Sequence, residues 1–149
     1  MTEITINNSP VHSDCIITYP YGVADSGYSC GWHTGVDIAP YGTTENNPVL
    51  YPVKPGRVVY INTTTTQALG VRAQILDNEG HYWRYCHMVA GSLQVSVGQE
   101  VDLTTPIGRM GATRKRNRKA LTSRMFYYSN LAMCNIFKSL HNFRNSECW

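Results

Sequence analysis

Gly31-Trp32-His33-Thr34-Gly35-Val36-Asp37-Ile38-Ala39 sets a histidine and an aspartate four residues apart, on either side of a glycine. Both are zinc-ligand types. Fully extended, the stretch would hold the two α-carbons about 13 Å apart, too far for their side chains to share one ion. A helix would bring them together at i, i+4. But Thr34, Gly35 and Val36 are poor helix formers, and Pro40 follows closely. What remains is a strand bent at its start on Gly35, the residue that takes positive φ without steric cost. His33 and Asp37 are therefore candidate metal ligands. The competing reading is an unrelated His and Asp at a loop–strand junction, which is common.

Outward from that stretch the chain reads as β-structure. Its 149 residues suffice for one core and not for two. An apolar content of 42% with 15% charged residues excludes a disordered chain. No apolar run approaches the length of a membrane-spanning helix. Met1 to Asn8 has neither a basic start nor an apolar centre, so no classical signal peptide is expected. Ten Tyr against three Phe, with many Thr and Val, favour strands.

Ile16-Ile17-Thr18-Tyr19 is a strand candidate closed by Pro20-Tyr21-Gly22, and Arg57 to Ile61 is another after the turn at Pro55-Gly56. Val71 to Leu76 alternates, and Asp77-Asn78-Glu79-Gly80 turns it into His81 to Met88 to make a hairpin. Period-two alternation puts His81, Trp83, Tyr85 and His87 on one face and Tyr82, Arg84, Cys86 and Met88 on the other. Along a straight strand His81 and His87 stand about 20 Å apart, so at most one serves a compact site. From Leu93 to Gly111 short strands meet at glycine corners. No amphipathic helix precedes residue 113. The predicted fold class is all-β, a small, partly open antiparallel barrel or sandwich.

The net charge of +3 conceals a division: residues 1–113 carry −4 and residues 114–149 carry +7. An abrupt change inside one domain needs an explanation. The five cysteines, Cys15, Cys30, Cys86, Cys134 and Cys148, show no CxxC spacing. A Cys15–Cys30 disulfide and buried free thiols both remain open.

The order of these pieces resembles the lysostaphin/LytM-type zinc metalloendopeptidases, which cleave peptide cross-links of bacterial peptidoglycan. Tyr19-Pro20-Tyr21-Gly22, the stretch His33 to Ala39, Pro52 to Val58, Tyr85-Cys86-His87-Met88, Val97 to Val101 and Ile107 to Thr113 follow the family's motifs in order. The resemblance implies that His33 and Asp37 bind zinc (Zn2+) and that His87 is a catalytic histidine beside them. His12, His81 and His141 match nothing in the motifs and are read as ordinary histidines.

The family also has a His-x-His shortly after its Gly-x-Thr-Gly turn, supplying a third zinc ligand and a second catalytic histidine. Counting on from Thr113, Ala120 and Thr122 hold those places, and neither can bind zinc. Read one base out of register, the codons of residues 114–125 can encode Gly-Lys-Glu-Thr-Gly-Lys-His-Leu-His-Leu-Glu-Cys, the missing motif in its expected place. The expectation is a metallopeptidase domain over residues 15–113, behind a polar lead-in of residues 1–14. It is followed by a basic, out-of-frame tail over residues 114–149 that leaves the barrel incomplete. The expected partner is peptidoglycan, met outside the cell or from a phage virion, and not nucleic acid. The competing readings are an inactive wall-binding or scaffold module and, on the basic run alone, a nucleic-acid-binding protein.

Overall fold

The Val71–Met88 hairpin is the spine of the fold. In the computed structural model, which describes residues 7–28, 31–33, 35–113 and 127–128, nine strands follow one another. They are β1 (Cys15–Tyr19), β2 (Asp37–Pro40), β3 (Val49–Leu50), β4 (Gly56–Asn62), β5 (Val71–Asp77), β6 (Tyr82–Met88), β7 (Glu100–Val101), β8 (Gly108–Arg109) and β9 (Tyr127–Tyr128). All pairings are antiparallel: β1 with β2, β3 with β8, and a larger sheet ordered β7-β4-β5-β6-β9. The sheets stay open and do not close into a barrel. Among the described residues there is no helix, and so none long and apolar enough to cross a membrane.

Alternation builds the core. Val71, Ala73 and Ile75 of β5 are buried, with Arg72, Gln74 and Leu76 half-buried between them. Trp83 and Tyr85 of β6, Val58 of β4, Ile38 of β2 and Leu50 of β3 join them, with Val53, Ile107 and Met110 from the connecting segments. Tyr85 can be fully buried because its hydroxyl accepts the Val53 N–H at 2.9 Å. Burial pushes its phenol up, against the opposing effect of that hydrogen bond. The lead-in packs onto the same core from Asn7 onward. Val11 is fully buried, and Asn7 donates its N–H to the Val53 carbonyl.

The edge of β6 that an incomplete barrel would leave open is taken by β9, with Trp83 opposite Tyr128 and Arg84 opposite Tyr127. The rest of residues 114–149 lies outside the described residues.

The turn between β5 and β6 is wired through one carboxylate. Asp77 Oδ1 accepts the N–H groups of Glu79 and His81, both at 2.9 Å. Its Oδ2 accepts the Trp83 indole at 2.8 Å and faces His81 Nδ1 at 3.1 Å. Burial alone would raise the Asp77 pKa, but the hydrogen bonds from Trp83, His81 and Glu79 outweigh it and hold the group below its ordinary 3.8. His81 is thus part of the hairpin turn, as expected for a histidine outside the motifs.

Because the folded pKa is depressed, the stability this carboxylate contributes is complete above about 4 and is lost as pH falls through the folded value. Asp77→Asn should cost about 1–3 kcal/mol at pH 7, since a buried indole N–H and two turn amides lose an ionised acceptor. Urea denaturation from pH 7 down to 2.5 checks both. The variant should lie well below the wild type at neutral pH, and the gap should narrow in acid.

Candidate metal centre

His33 reaches the site on a loop tied to itself. Gly22 N donates to His33 O and His33 N to Val23 O, each at 2.8 Å, and Ala24 bridges Trp32. Asp25 Oδ1 accepts Gly27 N at 2.7 Å, and its Oδ2 accepts the Tyr19 hydroxyl at 3.1 Å, which fastens the loop to β1. The rings of Tyr19 and Tyr28 pack against the His33 ring at 4.7 and 5.2 Å between centroids. Asp37 opens β2 opposite Tyr19, after a bulge in β1 between Ile17 and Tyr19. The chain from His33 to Asp37 folds back enough for His33 Nε2 and Asp37 Oδ1 to stand 3.3 Å apart, both side chains buried.

His87 arrives by a second bulge. Ala73 pairs with Tyr85 and Val71 with Met88, so β6 spends three residues where β5 spends two. The alternation expected for β6 therefore fails past Tyr85. Met88, not His87, joins Trp83 and Tyr85 in the core. His87 sits at φ 57 and is 8% exposed. A left-handed conformation costs a residue with a Cβ roughly 1–2 kcal/mol and persists where the surroundings hold it. Here Thr113 does so: its carbonyl lies 2.7 Å from His87 Nδ1, and its N–H donates to the His87 carbonyl at 3.2 Å. Gly111 makes room for the bulge, because a Cβ there would meet Val89 N at 2.6 Å and the His87 carbonyl at 3.0 Å.

Cys86, the residue before His87, feels the charge of Asp37. Burial pushes the Cys86 thiol up to about 12; Arg72 and Arg84 pull it down and the charge of Asp37 pushes it further up. Cys15, the first residue of β1, is pushed up to about 11 by burial and then by Asp14. Both are free thiols, and Cys30 lies outside the described residues. His12 stacks on Tyr51 at 4.0 Å between centroids, and His141 lies outside the described residues.

The residues present fit zinc as far as they go. The Pro20 carbonyl lies 3.0 Å from His33 Nδ1. A carbonyl only accepts, so Nδ1 carries a hydrogen, and Nε2, on the Asp37 side, is the nitrogen a metal would take. Tetrahedral zinc with N and O ligands near 2.0–2.2 Å separates adjacent donors by about 3.4 Å, close to the 3.3 Å found here. No group of three potential ligands occurs among the described residues.

Two features escaped the sequence. Pro20 and Thr113 each orient a histidine through a backbone carbonyl, which leaves no mark in residue type. The packing of Tyr19 and Tyr28 on His33 had a weak signal in the tyrosine-rich run around Pro20.

The model of peptidase family M23 matches residues 31–132, about two thirds of the chain. The chain belongs to peptidase family M23. That match runs past Thr113 and spans Ala120 and Thr122. Among solved structures the M23 chain is similar to a zinc-containing peptidase from Vibrio cholerae, with a TM-score of 0.61 and 22% identity. This comparison covers 85% of the present chain and 36% of the Vibrio one, so the chain spans little more than a third of that protein. A mutant of the catalytic domain of the prophage-encoded M23 protein EnpA from Enterococcus faecalis matches at a TM-score of 0.52 and 21% identity, over 76% and 78% of the two chains. The catalytic domain of the antimicrobial peptidase lysostaphin from Staphylococcus simulans matches at 0.50 and 23%, over 74% and 77%. At these identities the likeness is one of fold. No curated protein sequence matches.

The thiols give a direct check on burial at the site. With a pKa of about 12, the Cys86 thiolate fraction at pH 7 is about 10⁻⁵, against about 3% for an ordinary thiol. Peptide-resolved mass spectrometry after iodoacetamide treatment should find Cys86 and Cys15 unlabelled in the folded M23 chain and labelled once urea is added. Prompt labelling of Cys86 in the native protein would contradict the closed geometry beside Asp37.

Proposed function

We propose that this M23 chain is built on a zinc-dependent endopeptidase that hydrolyses peptide cross-links of bacterial peptidoglycan, and that the chain as written is impaired in that activity. The observation that carries the reading is the buried His33–Asp37 pair, whose donor atoms stand 3.3 Å apart. His33 through Nε2 and Asp37 through Oδ1 would hold the ion. Bound there, zinc supplies a Lewis acid that polarises the scissile carbonyl and acidifies water. The chain's own residues do the rest. The Pro20 carbonyl keeps His33 in the liganding tautomer, and Tyr19 and Tyr28 shield that ring. His87, protonated at Nδ1 toward Thr113, would use Nε2 to accept a proton and, once protonated, to steady charge on the substrate carbonyl. The proposed domain is residues 15–113, acting on the cell wall from outside or from a phage virion.

The impairment follows from Ala120 and Thr122. A catalytic zinc site uses three protein ligands, and the family's third belongs where one of these residues stands. We propose that residues 114–149 are read from a shifted frame. A second reading, an inactive wall-binding or scaffold module of the same fold, is favoured by the same two residues.

The experiment compares the chain as written with one whose frame is restored from codon 114. Losing even an outer hydrogen-bond partner of a metal ligand typically costs about 10–100-fold, and losing a ligand should cost more. The written chain should hold well under one zinc per molecule and leave cell walls intact. The restored chain should hold one zinc and clear walls, and His33→Ala within it should abolish both. If neither chain cuts peptidoglycan and both bind it, the scaffold reading replaces the enzymatic one.

A further inference from the structure

We propose that Thr113 is the positioning residue of His87, setting which ring nitrogen it presents to the site. The inference rests on the role given to His87 above, but its geometry stands apart from any metal. The β6 bulge interrupts the ladder between β5 and β6 where Val71 faces Met88. The Thr113 hydroxyl is inserted at that point. It accepts Val71 N–H at 3.1 Å and donates to the Met88 carbonyl at 2.6 Å. One hydroxyl offers one donor and two acceptor positions, so a single side chain splices the two strands where their own ladder fails.

That splice locates the Thr113 backbone. Its N–H donates to the His87 carbonyl and its own carbonyl accepts the His87 Nδ1–H at 2.7 Å. The residue therefore grips the bulge on both strands and the imidazole at once. Gly70, at φ +59, is what permits the approach, since a Cβ there would overlap the Thr113 carbonyl. A histidine free in water favours the hydrogen on Nε2. Held on the Thr113 carbonyl, His87 must carry a hydrogen on Nδ1.

Tautomers read by ¹⁵N–¹H NMR of the histidine rings, in the full chain at a pH where the ring is neutral, test this without zinc or substrate. The wild type and Thr113→Ser should show His87 protonated at Nδ1. Thr113→Val, which keeps shape and loses the hydroxyl, should shift the Nδ1–H to Nε2–H ratio about fivefold toward Nε2–H, the effect of one ordinary hydrogen bond. Gly70→Ala, which displaces the carbonyl directly, should shift it in the same direction. An Nε2-protonated His87 in the wild type overturns the proposal even if the variants fail to fold, as does an unchanged ratio in folded Thr113→Val. Failure of the frame-restored chain to hold zinc or to clear walls, with the tautomer dependence intact, would instead refute the proposed function alone.

Discussion

One extra residue in β6 decides what the site can contain. A regular strand must give alternate side chains to alternate faces, and that rule would have sent His87 into the core with Trp83 and Tyr85. The bulge breaks the rule once. Met88 takes the core position, and His87 is released in a left-handed conformation that Thr113 and Gly111 accommodate. A matching irregularity in β1, between Ile17 and Tyr19, precedes the pairing of Tyr19 with Asp37. In β6 the bulge lies in the strand that carries the site residue and re-aims it, whereas in β1 it lies opposite the strand that carries Asp37.

The two histidines are then oriented by the same device. Each sets Nδ1 on a backbone carbonyl, that of Pro20 for His33 and that of Thr113 for His87. Backbone carbonyls only accept, so each ring keeps a hydrogen on Nδ1. The carbonyls belong to segments that are themselves fastened, one by the Tyr19–Asp25 hydrogen bond and the other by the Thr113 hydroxyl between Val71 and Met88. The candidate ligand His33 and the proposed proton-handling His87 thus share one logic, in which rigid main chain orients the ring.

Much of this was legible in the sequence, for physical reasons. The Val71–Met88 hairpin follows from alternation and a polar turn, and the contact of His33 with Asp37 follows from two ligand types around a glycine with Pro40 barring a helix. The face of His87 was not legible. Its bulge carries no glycine at Cys86 or His87 to announce it, so period-two counting placed His87 with Trp83 and Met88 with Cys86. The grip of Thr113 was hidden for another reason, since it joins residues far apart in the chain. The strand Tyr127–Tyr128 on β6 was also missed, because the charge change after residue 113 drew the reading toward an unstructured tail.

In the proposed reading, an M23 endopeptidase domain lost its last metal ligand when the reading frame slipped after Thr113. The nucleotide sequence across codons 111–126 tests it most directly. The account predicts that a one-base shift from codon 114 reads Gly-Lys-Glu-Thr-Gly-Lys-His-Leu-His-Leu-Glu-Cys, with histidine triplets spanning Ala120–Leu121 and Thr122–Ser123. Shifted triplets at those two places that encode anything other than histidine would contradict it, and the two-ligand site would then belong to the protein as its gene intends it.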